Sequence, residues 1–145
     1  LYSNLLTAIR LRNIYPSKLK EIEVSYQRIA NPLPYPLTRE KLQKFNTFYF
    51  CEGHIDGLSL GVENFVAIEG VNSLNPYKLG IFKDKKIILA FDNDEAGKKG
   101  AKKMAQYLEK LGITYQFLVW DTEAKDINEL KKLNLLDKVS LVTRL

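Results

Sequence analysis

The chain holds a single cysteine, Cys51, and a single histidine, His54. A disulfide needs two thiols and a structural zinc site needs four Cys or His ligands, so neither can be assembled within this sequence. Long apolar runs are also missing. None approaches the ~20 residues of a membrane-spanning helix, and no signal-peptide pattern opens the chain, so a cytoplasmic protein without a membrane partner is expected. Proline is scarce, with five residues, but three of them fall in Asn31-Pro32-Leu33-Pro34-Tyr35-Pro36. That stretch lacks the donors a helix or central strand needs and reads as a linker or boundary. Methionine occurs once, at Met104, and the chain begins with Leu1, which suggests a fragment of something longer. Its 145 residues suit one domain with a small appendage.

Net charge is +5, unevenly spread. Residues 1–45 carry eight basic residues (Arg10, Arg12, Lys18, Lys20, Arg28, Arg39, Lys41, Lys44) against three acidic ones, and the remainder is balanced. The whole excess therefore lies in the first third. A basic flank suits a polyanionic partner, and Arg10, Arg12, Lys18, Lys20 and Arg28 are candidate nucleic-acid contacts. A solvated basic arm is the plainer alternative.

What is present is acid at the ends of apolar runs. Lys86-Ile87-Ile88-Leu89-Ala90-Phe91 has no polar group between Lys86 and Asp92, as a parallel strand covered on both faces requires. It delivers Asp92-Asn93-Asp94 at its carboxyl end, where open α/β sheets bind ligands. In extended backbone Asp92 and Asp94 point to one side, and two hard carboxylates on a tight turn favour Mg²⁺ or Mn²⁺. Alone, Asp-x-Asp is equally an ordinary turn before a helix cap. A second apolar run, Asn46 to Cys51, ends in Glu52-Gly53-His54-Ile55-Asp56, so two strands end in acid.

These motifs resemble the Toprim family, the catalytic domain of bacterial-type primases, type IA and type II topoisomerases and several small nucleases. Its signature is Glu-Gly after one strand, here Glu52-Gly53, and Asp-x-Asp after a later one, here Asp92-Asn93-Asp94. The primase branch and its phage and plasmid relatives resemble the chain most. They share the aspartate at Asp56, the run Phe91 to Gly97, and a third motif, Lys125-Asp126-Ile127-Asn128-Glu129. A second Glu-Gly, Glu69-Gly70, lacks the following aspartate, so Glu52 is the better match.

The resemblance implies an α/β Toprim fold, Rossmann-like, with a small, largely parallel sheet of about four strands flanked by helices. It places a basic segment over residues 1–37, the tail of a preceding primase subdomain, and a catalytic domain over 38–145. It implies a DNA primase-like nucleotidyltransferase that makes RNA primers on single-stranded DNA from NTPs, with Mg²⁺ or Mn²⁺ as cofactor and a replicative helicase as a partner. Glu52, Asp92 and Asp94 would be catalytic, and Glu52, Asp56, Asp92, Asp94 and Asp126 would form the metal cluster, Glu52 as ligand or as the acid/base. Asn128 stands where many members have an aspartate, which weakens a second metal. A Toprim nuclease and a non-catalytic nucleic-acid or replisome binding module are the alternatives. A topoisomerase needs machinery that does not fit this length.

Local patterns predict the elements. Ile22, Val24 and Tyr26 alternate with polar residues as in a strand, and Thr7 to Ile14 reads as another. Thr38 caps a helix over Arg39 to Phe45. Strands are expected at Thr47 to Cys51, Phe65 to Ile68, the Ile87 run and Thr114 to Trp120. Helices are expected at Asp56 to Leu60, Pro76 to Phe82, Glu95 to Leu111, and from Ile127 onward. The long helix buries Gly97, Ala101, Met104, Ala105, Leu108 and Leu111 on one face, with Lys98 and Lys99 near enough to the acidic turn to touch nucleic acid. His54, Cys51 and Trp120 read as structural residues.

Overall fold

The structure, a computed structural model, describes residues 8–12, 21–25, 36–68 and 79–145. The chain forms two compact units, Leu1–Pro32 and Leu33–Leu145. In the first, β1 (Ala8–Arg12) and β2 (Glu21–Ser25) pair antiparallel, with Arg10 in register with Glu23 and Arg12 with Glu21. Lys18 and Arg28 lie outside the described residues, as does Lys20.

The second unit is a sheet of order β4-β3-β5-β6-β7. Its strands are β3 (Thr47–Cys51), β4 (Phe65–Ala67), β5 (Lys86–Ala90), β6 (Thr114–Trp120) and β7 (Val139–Val142). The four expected strands are mutually parallel, and β7 joins antiparallel beside β6. The sequence pattern predicts helix for this last segment. A helix does form, α4 (Ile127–Lys132), but Asn134 at φ 58 turns the chain back, and a single 3₁₀ turn at Leu136–Lys138 leads into β7.

Side-chain alternation along the strands divides the core between two faces. Phe48 and Phe50 of β3 and Ile87 and Leu89 of β5 pack against α3 (Glu95–Lys110), through Ala101, Met104, Ala105 and Leu108. Cys51, Ile88 and Ala90 face the other way, toward Trp120, Ile127 and Leu130. That face carries α2 (His54–Leu60) and α4. The result is a three-layer α/β/α sandwich. Ile87, Ile88, Leu89 and Ala90 are all buried because β5 is paired on both sides and covered on both faces.

α1 (Arg39–Lys44) is capped by Thr38, whose Oγ1 accepts from the Lys41 amide at 3.2 Å. Leu37, just ahead of it, is buried in the α3-side core. Three boundaries differ from the sequence reading. α2 begins at His54, two residues early, because Gly53 takes the N-cap position and leaves His54 as the first helical residue. Leu111 is 39 % exposed and not on the apolar face, since the helix ends before it and Gly112, at φ 68, reverses the chain. Residues 69–78 lie outside the described residues, and with them Glu69-Gly70 and the start of the expected Pro76 helix; the end of that expected helix is a 3₁₀ turn at Gly80–Phe82.

Candidate metal and active site

Register sets the site. Cys51 pairs with Ala67 on one side and with Ala90 on the other, so β3, β4 and β5 end level. Residues that follow these strands emerge at one edge, and two of the exits are Glu52 and Phe91-Asp92. The amide of Asp92 donates to Glu52 Oε1 at 3.3 Å, joining the two exits directly.

Asp94 is the N-cap of α3, and its Oδ1 accepts from the Gly97 amide at 2.8 Å. Gly97 is required by space: a Cβ there would lie 2.2 Å from the Asp92 carbonyl oxygen. The missing side chain lets the first turn of α3 press against the acidic turn. Gly53 is also crowded, though less tightly and by the end of a side chain. Its φ of −126° is ordinary extended backbone, but a Cβ would lie 3.2 Å from Asp56 Oδ2.

The third motif closes on the first two. The Asn93 amide donates to the Lys125 carbonyl at 2.7 Å, and Asn93 Nδ2 to the Trp120 carbonyl at 3.4 Å. Asp126 caps α4 through Oδ1 and the Glu129 amide at 2.7 Å, while Glu129 Oε2 accepts from the Lys125 amide at 2.7 Å. This reciprocal arrangement is a near relative of the capping box. Asn128 couples α4 to α2: its amide donates to Asp56 Oδ1 at 3.4 Å, and its Oδ1 accepts from buried Ser59 Oγ at 3.2 Å. The side-chain oxygen of Asn128 is thus engaged by Ser59.

The acids of this edge act on one another electrostatically. Burial pushes the Asp92 carboxyl up to about 7, with the charges of Glu52, Asp56 and Asp126 adding to the effect. Glu52 is also raised, by burial first; the Asp92 amide opposes the rise, while Asp94 and Asp56 add to it. Asp94 moves the other way, held down by the Gly97 amide and by Lys125. Lys125 Nζ lies 3.4 Å from Asp94 Oδ2 and 3.9 Å from Asp92 Oδ2. Neither its role nor that of Asn93 was read from the sequence, although Lys125 opens the third motif. Only a three-dimensional contact could have exposed either. Lys98 and Lys99 are exposed on the first turns of α3, and Lys98 lines an open cleft with Asp92 and Asn93.

Among the described residues no three His, Cys, Asp or Glu side chains are grouped so that they could together hold a metal ion, so the expected five-acid cluster is not assembled as one ligand set. The donors nevertheless suit a hard divalent cation. They are carboxylates, two of them are drawn toward one positive charge, and Mg²⁺ is usually held by one or two carboxylates with water and substrate oxygens completing its shell.

An uncharacterised protein of Mycoplasma genitalium is 39 % identical over 101 residues, 66 % of this chain and 46 % of that protein. A DNA primase of Campylobacter jejuni is 36 % identical over 76 residues, 49 % of this chain and 12 % of the primase. The chain thus spans less than half the length of these curated relatives. The zinc-binding and RNA polymerase domains of the Aquifex aeolicus primase share the fold, with a TM-score of 0.68 at 21 % identity over 94 % of this chain and 38 % of that one. A sequence profile described as Toprim-like matches residues 49–131, from within β3 to within α4. That span contains the whole acidic edge, and the chain belongs to the Toprim-like family.

Proposed function

We propose that this domain carries out metal-dependent nucleotidyl transfer on a nucleic-acid template, as in RNA primer synthesis. The observation that carries the reading is the convergence of Glu52, Asp92 and Asp94 at the level ends of β3 and β5. Relatedness to primases supports it.

In this reading Asp92 and Asp94 would hold Mg²⁺ or Mn²⁺, which would supply charge neutralisation at the phosphates. Glu52 takes the proton of the attacking hydroxyl. Its raised pKa keeps it a stronger base than an ordinary carboxylate, and the Asp92 amide fixes its orientation. Asp56 and Asp126 support the pair through their charge. Asp126 caps α4, Asp56 accepts from the Asn128 amide, and both raise the field at Asp92, which favours a bound cation. Lys98 and Lys99, with Arg10, Arg12, Lys18, Lys20 and Arg28, would meet the phosphates of template and product.

The test is incubation of the protein with single-stranded DNA, NTPs and Mn²⁺, beside Asp92→Asn and Asp94→Asn. Primers of defined length that vanish in both variants are expected. Template cleavage would make the domain a nuclease that directs water with the same carboxylates. Binding without product would make it a non-catalytic module.

A further inference from the structure

The acidic edge contains its own positive charge, and the details of its attachment matter. Lys125 is held by the backbone at two points: its carbonyl accepts from the Asn93 amide, and its amide donates to Glu129 Oε2, each at 2.7 Å. Its side chain is 56 % exposed. The backbone is therefore fixed to the Asp-x-Asp turn and to α4, while the ammonium is free to swing. Asp94 uses Oδ1 to cap α3, so Oδ2 is the oxygen left for a cation, and Oδ2 is the atom that Lys125 approaches. Lys125 also reaches Asp92 Oδ2.

We propose that Lys125 is a resident counter-ion which a divalent cation must displace from Asp92 and Asp94, so that this lysine sets the metal affinity of the site. The inference rests on the reading that those two carboxylates hold the cation. Lys125 offsets one of the pair's two negative charges when no metal is bound and competes for the same oxygens when one arrives. Once displaced, the ammonium remains at the mouth of the site, because its backbone anchors do not depend on the carboxylates. Lys125 is in this sense a positioning residue for charge. A simple structural clasp predicts the opposite behaviour, since cutting a clasp loosens the two loops and weakens the metal site.

Mn²⁺ binding to the whole chain, measured by calorimetry at pH 8 for wild type, Lys125→Met, Lys125→Gln and Lys125→Arg, separates the two. Methionine keeps the aliphatic stem without charge, and arginine keeps the charge. Lys125→Met and Lys125→Gln should bind Mn²⁺ about fivefold more tightly, the scale expected of exposed ion pairs. Lys125→Arg should stay near wild type. The neutral variants should also show a larger Mn²⁺-induced rise in Tm, measured from a lower Tm in EDTA. Equal or weaker Mn²⁺ binding by both neutral variants, with wild-type binding intact, overturns the counter-ion role alone. Failure of wild type to bind Mn²⁺, or Asp94→Asn binding as well as wild type, overturns the metal reading and this inference with it.

Discussion

The Asp92 amide donates to Glu52 Oε1 across 40 positions of sequence, so the acid ending one strand is oriented by the turn ending its neighbour. The bond uses one carboxylate oxygen, Oε1, as acceptor. A glutamine preserves an acceptor oxygen of the same shape but cannot take a proton. Glu52→Gln should therefore keep the fold and most of the Mn²⁺ affinity while lowering catalysis by at least about a hundredfold, the usual contribution of a positioned general base. Calorimetry beside primer synthesis checks this, and loss of Mn²⁺ binding equal to that of Asp92→Asn would make Glu52 a ligand.

The raised Asp92 carboxyl predicts a pH dependence of stability. Its folded pKa, about 7, lies above that of the unfolded chain, near 4. Between those values the folded state binds more protons, so stability falls as pH rises through the window. Asp94 is lowered, so its own titration falls below this window and adds no slope within it. In EDTA, Tm should drop between pH 5 and pH 8. Asp92→Asn should flatten that drop and melt above wild type at pH 8. A Tm that rises over the same range would refute the repulsion account.

Much of this edge was legible before any fold was known, and the reason is local. Ile87 to Phe91 had to be a doubly covered strand because nothing in it tolerates water, and its end had to carry Asp92. Thr38 and the Glu95–Lys110 helix were equally readable, since caps and period 3.6 act over a few residues. β7 was not. Val139–Val142 is short and half exposed, and its strand identity comes from pairing with β6, not from its own pattern. Lys125 escaped for a related reason: the carboxylates that its ammonium meets, Asp92 and Asp94, lie more than thirty positions away in the sequence.

Gly97 provides a steric test of how firmly the acidic turn is held. A methyl group at this position would meet the Asp92 carbonyl, a backbone atom that cannot rotate away. Gly97→Ala should cost about 1–3 kcal/mol, the range for overpacking, despite alanine's better helix propensity. Because the shift falls on Asp92, Mn²⁺ affinity should decline too. Gly80→Ala, where a Cβ meets open space, is the control and should change stability little. Urea melts of the two variants settle the comparison, and a neutral Gly97→Ala would mean that the turn yields easily.

The basic residues upstream raise a question of charge that the acidic edge alone does not answer. Residues 1–32 contain Arg10, Arg12, Lys18, Lys20 and Arg28 against Glu21 and Glu23, so they hold +3 of the net +5. Leu33–Leu145 is a compact unit with its own core, so a chain lacking the first unit is expected to fold. Two of the five basic residues are in register with acids across the β1–β2 ladder, Arg10 with Glu23 and Arg12 with Glu21. The segment as a whole stays net positive. Each phosphate contact on a single strand contributes about −0.7 to the slope of log K against log salt. Removing residues 1–32 should therefore weaken single-stranded DNA binding at 50 mM salt and flatten the slope by at least about one unit, with the difference shrinking as salt rises. Fluorescence anisotropy of both forms over a salt series measures this. An unchanged slope would assign the contacts to the second unit. Lys98→Glu with Lys99→Glu, two exposed positions on the first turns of α3, should then abolish the binding that the deletion spared.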